Sequence, residues 1–291
     1  MDNLEFLASI KRLAIVAMFS DDDLMERLVL KGGNLLDIVY GVSTRPSVDL
    51  DFSIDGEFED LDTYRRKIAD ALTSTFAEAG YVVFDVAVTE VPSGITDDMR
   101  SFWGGYTVEF KLIEQDRYDQ FRGDLKALRR NAASVGKRGS TKFRIDISKH
   151  EYCSLKRRAE LAGYAIFVYT PEMAVCEKLR AICQQMPEYT NMVRKHPSAR
   201  ARDFVDIHAL AEHFAVDFRS EEFSHLVREM FAVKRVPLNL IGRIVEFRDY
   251  HRQDFAAVKD TVKPHVELRD FDYYFDYTVG RCQGLKALWN E

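Results

Sequence analysis

The stretch Val48-Asp49-Leu50-Asp51-Phe52-Ser53-Ile54 constrains this chain more than any other. Val48, Leu50, Phe52 and Ile54 fall on one side of an extended segment, and Asp49, Asp51 and Ser53 on the other. Successive strand residues point to opposite faces, so the alternation predicts a strand with one face in the core. It also aims two carboxylates the same way. Such a pair repels itself unless a cation lies between the groups. Mg²⁺ suits that role, with Mn²⁺ as the alternative, because it prefers oxygen ligands and shares its sphere with phosphates.

The flanking sequence adds to this. Arg27-Leu28-Val29-Leu30-Lys31 is an apolar run ending at Gly32-Gly33, which predicts a buried strand and a tight turn. Asn34 to Tyr40 then predicts a helix closed by Gly41. A glycine turn has no side chain to block a triphosphate, and its amides can face phosphate oxygens. Asn34 is a further phosphate donor. In Phe143-Arg144-Ile145-Asp146-Ile147-Ser148, the apolar residues alternate with Arg144, Asp146 and Ser148. A strand here, set beside the first, brings Asp146 in as a third carboxylate. Two ions held so can activate an attacking hydroxyl and stabilise a leaving pyrophosphate.

Each feature has a plainer reading alone. Two aspartates on an exposed strand face are commonly surface decoration, a Gly-Gly pair is commonly a turn, and a single aspartate is commonly solvated. The ordered set is what points to nucleotide chemistry. Arg45 reads as a partner for a site carboxylate or phosphate, Ser47 as a donor to phosphate or to the turn backbone, and both equally as loop residues.

Elsewhere, residues 2–19 and 60–79 have helical periodicity, and Tyr81 to Val88, Gly105 to Ile113 and Lys142 to Ser148 predict strands. From Pro171 the pattern turns helical: Glu172 to Gln185, Arg202 to Phe214, Phe223 to Val233, Leu238 to Phe255 and Leu285 to Trp289. The boundary falls near Leu161 to Tyr169, giving a strand-containing region over 1–165 and a helical region over 166–291.

Bulk properties exclude several classes. The 291 residues carry a net charge of −6, which disfavours a protein that coats duplex nucleic acid. The four cysteines form no CxxC pair, so a zinc ribbon is unsupported and reduced, buried thiols are expected. The start of the chain lacks a signal-peptide pattern and no apolar stretch is long enough to span a bilayer, so a cytoplasmic protein is expected, away from membranes. HExxH, GxSxG and Walker A motifs are absent.

Three blocks carry a resemblance. Lys31-Gly32-Gly33-Asn34-Leu35-Leu36, Tyr40-Gly41 and Arg45-Pro46-Ser47-Val48-Asp49-Leu50-Asp51-Phe52 resemble the opening motif of the AbiEii/AbiGii nucleotidyltransferase family, toxins of type IV toxin–antitoxin and abortive-infection systems. Thr170 to Ala181, containing Glu177-Lys178-Leu179, resembles that family's second block, and Arg202-Asp203-Phe204-Val205-Asp206-Ile207 resembles its Arg-Asp-x-x-Asp helix. The blocks keep the family's order across residues 28–214. Asn34 departs from the Thr, Ser or Ala that more often follows the family's glycines.

The resemblance implies an α+β fold: a polymerase-beta-like minimal nucleotidyltransferase core, followed by a helical C-terminal region that contributes to the active site. It implies Asp49 and Asp51 as the metal-binding pair and Asp146 as the third carboxylate. It places Lys178 on the triphosphate and makes Asp203 a further essential residue, with a cognate antitoxin as partner. From the residues alone, a solvated helix lysine is the alternative for Lys178, and a helix-terminal charge cluster the alternative for Arg202, Asp203 and Asp206.

The acceptor is less legible. Basic residues from Arg117 to Arg144, with Lys156-Arg157-Arg158, line either a groove for RNA (the tRNA acceptor end among them) or a solvated face. Phe102, Trp103, Tyr106, Tyr118 and Phe121 are either base-stacking platforms or core. A protein hydroxyl is the other acceptor. The competing functions are a non-catalytic nucleotide- or partner-binding module and a small-molecule, antibiotic-type nucleotidyltransferase.

Overall fold

The computed structural model describes residues 3–44, 47, 49–94, 96–135, 139–263 and 266–290. Arg45, Pro46, Val48 and Lys137 lie outside the described residues. The chain divides into two compact units. One comprises Met1–Val39 and Ser47–Val168, the other Tyr40–Pro46 and Tyr169–Glu291.

The first unit is built on a seven-stranded mixed sheet in the order β3-β4-β5-β2-β1-β7-β6. Its strands are β1 (Val29–Lys31), β2 (Leu50–Ser53), β3 (Tyr81–Val91), β4 (Gly105–Glu114), β5 (Phe143–Ser148), β6 (Arg157–Leu161) and β7 (Tyr164–Val168). β2 runs antiparallel to β1 and parallel to β5, while β4 is antiparallel to β5. One sheet face is apolar. Leu30, Leu50, Phe52, Ile145, Val108 and Phe110 are fully buried on it, as the alternation requires. Two helices, α1 (Asn3–Met18) and α2 (Leu61–Glu78), supply much of the cover. α2 buries Tyr64, Ile68, Ala71, Leu72 and Phe76, spaced to form one helical stripe. Phe76 meets Phe110 edge-on at 5.6 Å, and Phe110 meets Phe143 at 5.2 Å.

Several expectations change here. β2 starts at Leu50, so Asp49 lies in the bend ahead of it. The Gly32–Gly33 turn is the first part of a short helix, Gly32–Asn34, which continues as a π-helix over Leu35–Val39. The stretch Leu161 to Tyr169, expected to hold the boundary, contains most of the β6–β7 hairpin, and the first unit ends at Val168. Leu30 on β1 pairs in parallel with Val168, so this hairpin extends the sheet on the far side of β1.

The second unit is helical. Its main elements are α3 (Pro171–Cys183), α4 (Pro187–Val193), α5 (Ala201–His213), α6 (Glu221–Ala232) and α7 (Phe271–Cys282). Pro171 occupies the first turn of α3, and Thr170 caps it by accepting from Met173 N at 3.2 Å. Phe204 on α5 stacks on Phe275 of α7 at 5.2 Å and meets Phe271 edge-on at 5.5 Å. The single helix expected over Leu238 to Phe255 is broken into Leu240–Arg243, a 3-10 turn at Ile244–Phe247, and Arg248–Arg252. A Cβ at Gly242 would lie 2.8 Å from the Trp289 ring, so the break sits where the backbone closes on the C-terminal 3-10 segment.

Candidate active site

Strand register builds the first group. Asp51 on β2 pairs with Lys31 on β1 and with Asp146 on β5, and Asp146 pairs with Thr107 on β4. Lys31, Asp51, Asp146 and Thr107 thus form one polar row across four adjacent strands. Paired residues share a face, so the two aspartates are side-by-side neighbours. Below them Lys31 is 6% exposed and its Nζ reaches the buried Glu151 carboxylate at 3.2 Å.

The glycine turn fits closely against this row. Gly32 has φ +71°, which only glycine adopts without strain. A Cβ there would overlap the Asp51 Oδ2 and would sit 3.0 Å from the Asp51 Cβ and Cγ. Gly32 therefore brings the main chain against the carboxylate as no other residue could. Asn34, fully buried, donates its side-chain amide to the Asp49 main-chain carbonyl. Ser47 is 8% exposed and its hydroxyl points to the same carbonyl at 3.5 Å. As placed, both side chains hold the backbone of Asp49. For Ser47 this is the turn-backbone alternative.

Asp146 is not open to a ligand as it stands. Arg144, two residues earlier on the same face of β5, places Nε 2.9 and 3.0 Å from the two carboxylate oxygens and Nη2 2.8 Å from Oδ1. Thr107 Oγ1 donates to Oδ1 at 2.9 Å. The hydrogen bonds to Asp146 come first in holding the Arg144 guanidinium above its ordinary range; partial burial opposes them, and the charges of Asp146, Asp49 and Glu109 add to them. Among the described residues, no three of His, Cys, Asp and Glu are gathered as a metal cage. The donor chemistry still suits a hard cation: Asp51 and Asp146 present carboxylate oxygens from adjacent strands, with Asp49 one residue from β2.

The second unit holds its own charged cluster. Lys178 on α3 is 7% exposed, with Nζ 2.6 Å from Asp206 Oδ2 and 3.4 Å from Asp203 Oδ1, both on α5. Arg200 Nε lies 2.6 Å from the other oxygen of Asp203. Burial works against charge on Lys178, but Asp206 and Asp203 outweigh it and its pKa rises. Burial likewise disfavours the Asp203 carboxylate, yet Arg200 and Lys178 hold its pKa below the usual range. A solvated Lys178 is thus excluded. As placed, its ammonium is committed to two carboxylates. Nearby, His251 is fully buried and its Nδ1 accepts from Arg200 N at 3.1 Å.

The expected acceptor surface is only partly assembled. Arg129 grips Asp85 through two hydrogen bonds of 2.6 and 2.8 Å, and Lys142 pairs with Glu109 at 2.7 Å. Lys156 donates to the Glu26 carbonyl at 2.6 Å. Phe102 and Tyr106 are core residues, 3% and 2% exposed, so they do not serve as stacking platforms. The Tyr106 hydroxyl is engaged by Phe58 N at 3.2 Å.

Arg144, Thr107 and Arg200 are the residues that sequence reasoning had not singled out. The alternation around Asp146 already placed Arg144 beside it. The three-residue spacing of Arg200 and Asp203 was also legible. Thr107 needed the β4–β5 register, which no local pattern supplies.

A mixed sheet with acidic side chains on adjacent central strands, accompanied by C-terminal helices, defines an α+β protein of nucleotidyltransferase type. The family model described as nucleotidyl transferase AbiEii toxin, type IV TA system, matches residues 14–277, and the chain belongs to that family. Two solved structures share its fold. JHP933 from Helicobacter pylori has a TM-score of 0.51 at 18% identity, covering 98% of this chain and 94% of its own. A proposed nucleotidyltransferase, also from H. pylori, gives the same score and identity over 100% and 98%. No curated protein matches the chain.

Proposed function

We propose that this chain transfers a nucleoside monophosphate from a nucleoside triphosphate to a hydroxyl on RNA, tRNA included, or on protein, and that this modification is the toxic act of a toxin–antitoxin pair. The observation that carries the reading is the register of Asp51 against Asp146 with Gly32 seated on the Asp51 carboxylate.

In this reading Asp49, Asp51 and Asp146 hold Mg²⁺ or Mn²⁺. The bound metal would supply charge neutralisation of the triphosphate and acidity for the acceptor hydroxyl. The chain's own residues do the rest. Gly32 and Gly33 bring main chain rather than side chain to the phosphates. Asn34 and Ser47 fix the backbone from which Asp49 projects. The acceptor oxygen forms its bond to the α-phosphorus, the bond to the β-phosphate bridging oxygen breaks, pyrophosphate leaves, and the hydroxyl proton departs toward the carboxylates. Lys178 and Asp203 belong to the proposed nucleotide site through the family resemblance, and Arg45 as a partner for a site carboxylate or phosphate. Among them Lys178 and Asp203 form an ion-paired unit, and Arg45 lies outside the described residues.

The substrates place the activity in the cytoplasm, and a cognate antitoxin is the expected partner. No helix among the described residues is long and apolar enough to cross a membrane. A second reading, a nucleotide-binding module without catalysis, is favoured by one observation: both oxygens of Asp146 are engaged by Arg144.

The deciding experiment incubates the protein with each α-labelled nucleoside triphosphate, Mg²⁺ and total RNA or lysate. Labelled RNA or labelled protein identifies the acceptor. Label bound but never transferred favours the second reading. Labelling undiminished in both Asp49→Asn and Asp51→Asn would falsify the site.

A further inference from the structure

Arg144 has no part in the function as proposed, yet it is the group that most directly opposes it. Its guanidinium reaches both oxygens of Asp146 and donates through Nη2 to Thr107 Oγ1 at 3.3 Å, while Thr107 donates in turn to Asp146. A carboxylate engaged this way does not offer its oxygens to a metal.

We propose that Arg144 is the built-in counter-cation of the carboxylate row, bound to Asp146 until a divalent ion displaces it, so that Arg144 sets the metal affinity of the site. The inference rests on the reading of Asp49, Asp51 and Asp146 as metal-holding residues. Three aspartates with neither metal nor guanidinium would repel one another. The guanidinium sits 2.8 Å from the Asp146 carboxylate and neutralises it there as the ion would. The contact is also made to be broken. The side chains of Arg144 and Asp146 are 51% and 33% exposed, and an ion pair so open to water is held weakly against a divalent cation. Lys31, the other cation of the row, binds the buried Glu151 carboxylate at 3.2 Å. Displacement needs only rotation of the Arg144 side chain into solvent.

A purely structural Arg144 would have the opposite signature. A brace that holds Asp146 in its working rotamer strengthens metal binding, and its removal weakens it. A competitor weakens metal binding, and its removal strengthens it. The sign of the change separates the two.

The test is Mn²⁺ titration followed by the electron paramagnetic resonance of free Mn²⁺. The proteins are wild type, Arg144→Ala, Arg144→Gln, Asp146→Asn, Asp51→Asn and the double variant Arg144→Ala/Asp146→Asn, each checked by circular dichroism. Arg144→Gln keeps the length of the side chain without its charge, and covers a failure of the alanine variant to fold. Loss of the guanidinium should tighten Mn²⁺ binding about three- to tenfold, in keeping with the modest strength of an exposed ion pair. The tightening should vanish in the Asp146→Asn background. Unchanged or weaker binding in both Arg144 variants overturns the proposal, as does tightening that persists without Asp146. If Asp51→Asn abolishes Mn²⁺ binding while the Arg144 variants leave it unchanged, the carboxylate site stands and only the role of Arg144 falls. Absence of Mn²⁺ binding in every protein sinks both.

Discussion

Asp51 and Asp146 are direct neighbours across the parallel strands β2 and β5, although far apart in the chain. Two ionised carboxylates held side by side by main-chain register raise the energy of the folded chain unless a cation lies close. Arg144 is such a cation, paired with Asp146 at 2.8 Å. The register therefore ties the fold to the proposed chemistry.

Neutralising either carboxylate should leave the fold intact and remove the proposed activity. Asp51→Asn and Asp146→Asn keep size and strand propensity. Nucleotide transfer should fall by about 100-fold or more, the upper end of what disturbing a metal's surroundings costs. Labelled transfer and thermal melts on the same samples check this. Full activity in both variants would remove these residues from the site.

Gly32→Ala should harm both stability and function. A residue with a side chain at φ +71° carries about 1–3 kcal/mol of strain. Its Cβ must also displace the Asp51 carboxylate. Urea unfolding should show the stability loss, and Mn²⁺ binding should weaken with it. An alanine variant of native stability and affinity would contradict the close approach.

Asn34→Ala tests the hold on Asp49. It removes a buried amide that donates to the Asp49 carbonyl, to which Ser47 makes a longer contact. The expected cost is about 1–3 kcal/mol of stability. Transfer activity should fall beyond what the change in folded population explains, measured well below the melting temperature.

Lys178→Met should be strongly destabilising, by about 3–5 kcal/mol, because it takes from the buried Asp206 its 2.6 Å partner, while Asp203 keeps Arg200. Adding Asp206→Leu should recover part of the loss by replacing the pair with apolar bulk. Denaturant midpoints of the single and double variants measure this. A stable Lys178→Met protein would mean that the ion pair contributes little to the second unit.

His251 gives the second unit a pH dependence with a defined sign. Burial lowers its pKa from 6.5 to about 4, with Asp203 opposing that shift and Arg200 adding to it. The unfolded chain then takes up a proton at a higher pH than the folded one. The stability contribution is fully present above pH 6.5 and is lost as pH falls through about 4. Melting temperatures across this window should drop for wild type. His251→Asn, which can still accept from Arg200 N, should show a flatter profile.

Much of the local structure was legible. The alternation around Asp51 and Asp146 predicted strands with apolar faces, and Leu50, Phe52 and Ile145 are fully buried on that side. The stripe from Tyr64 to Phe76 predicted α2. The hairpin of β6 and β7 was missed because β6 is largely exposed and alternates no core face. The turn at Ala162 and Gly163, both at positive φ, lies in the stretch where the boundary was expected. α7 was missed although Asp270 caps it by accepting from Tyr273 N at 2.9 Å. Its aromatic residues face Phe204 across the unit, a partner that no local window contains.

By itself the sequence determined which residues carry charge, which faces are apolar, and the ordered blocks that mark the AbiEii family. Those properties depend on residue type and spacing within a few positions, which a strand or helix period exposes directly. Only the tertiary structure decided that Asp146 stands beside Asp51, that Arg144 and Thr107 engage it, and that Lys178 is bound by Asp203 and Asp206. Each of these joins elements distant in sequence or depends on side-chain geometry. Strand register, helix packing and burial set those relationships, and no short-range pattern encodes them.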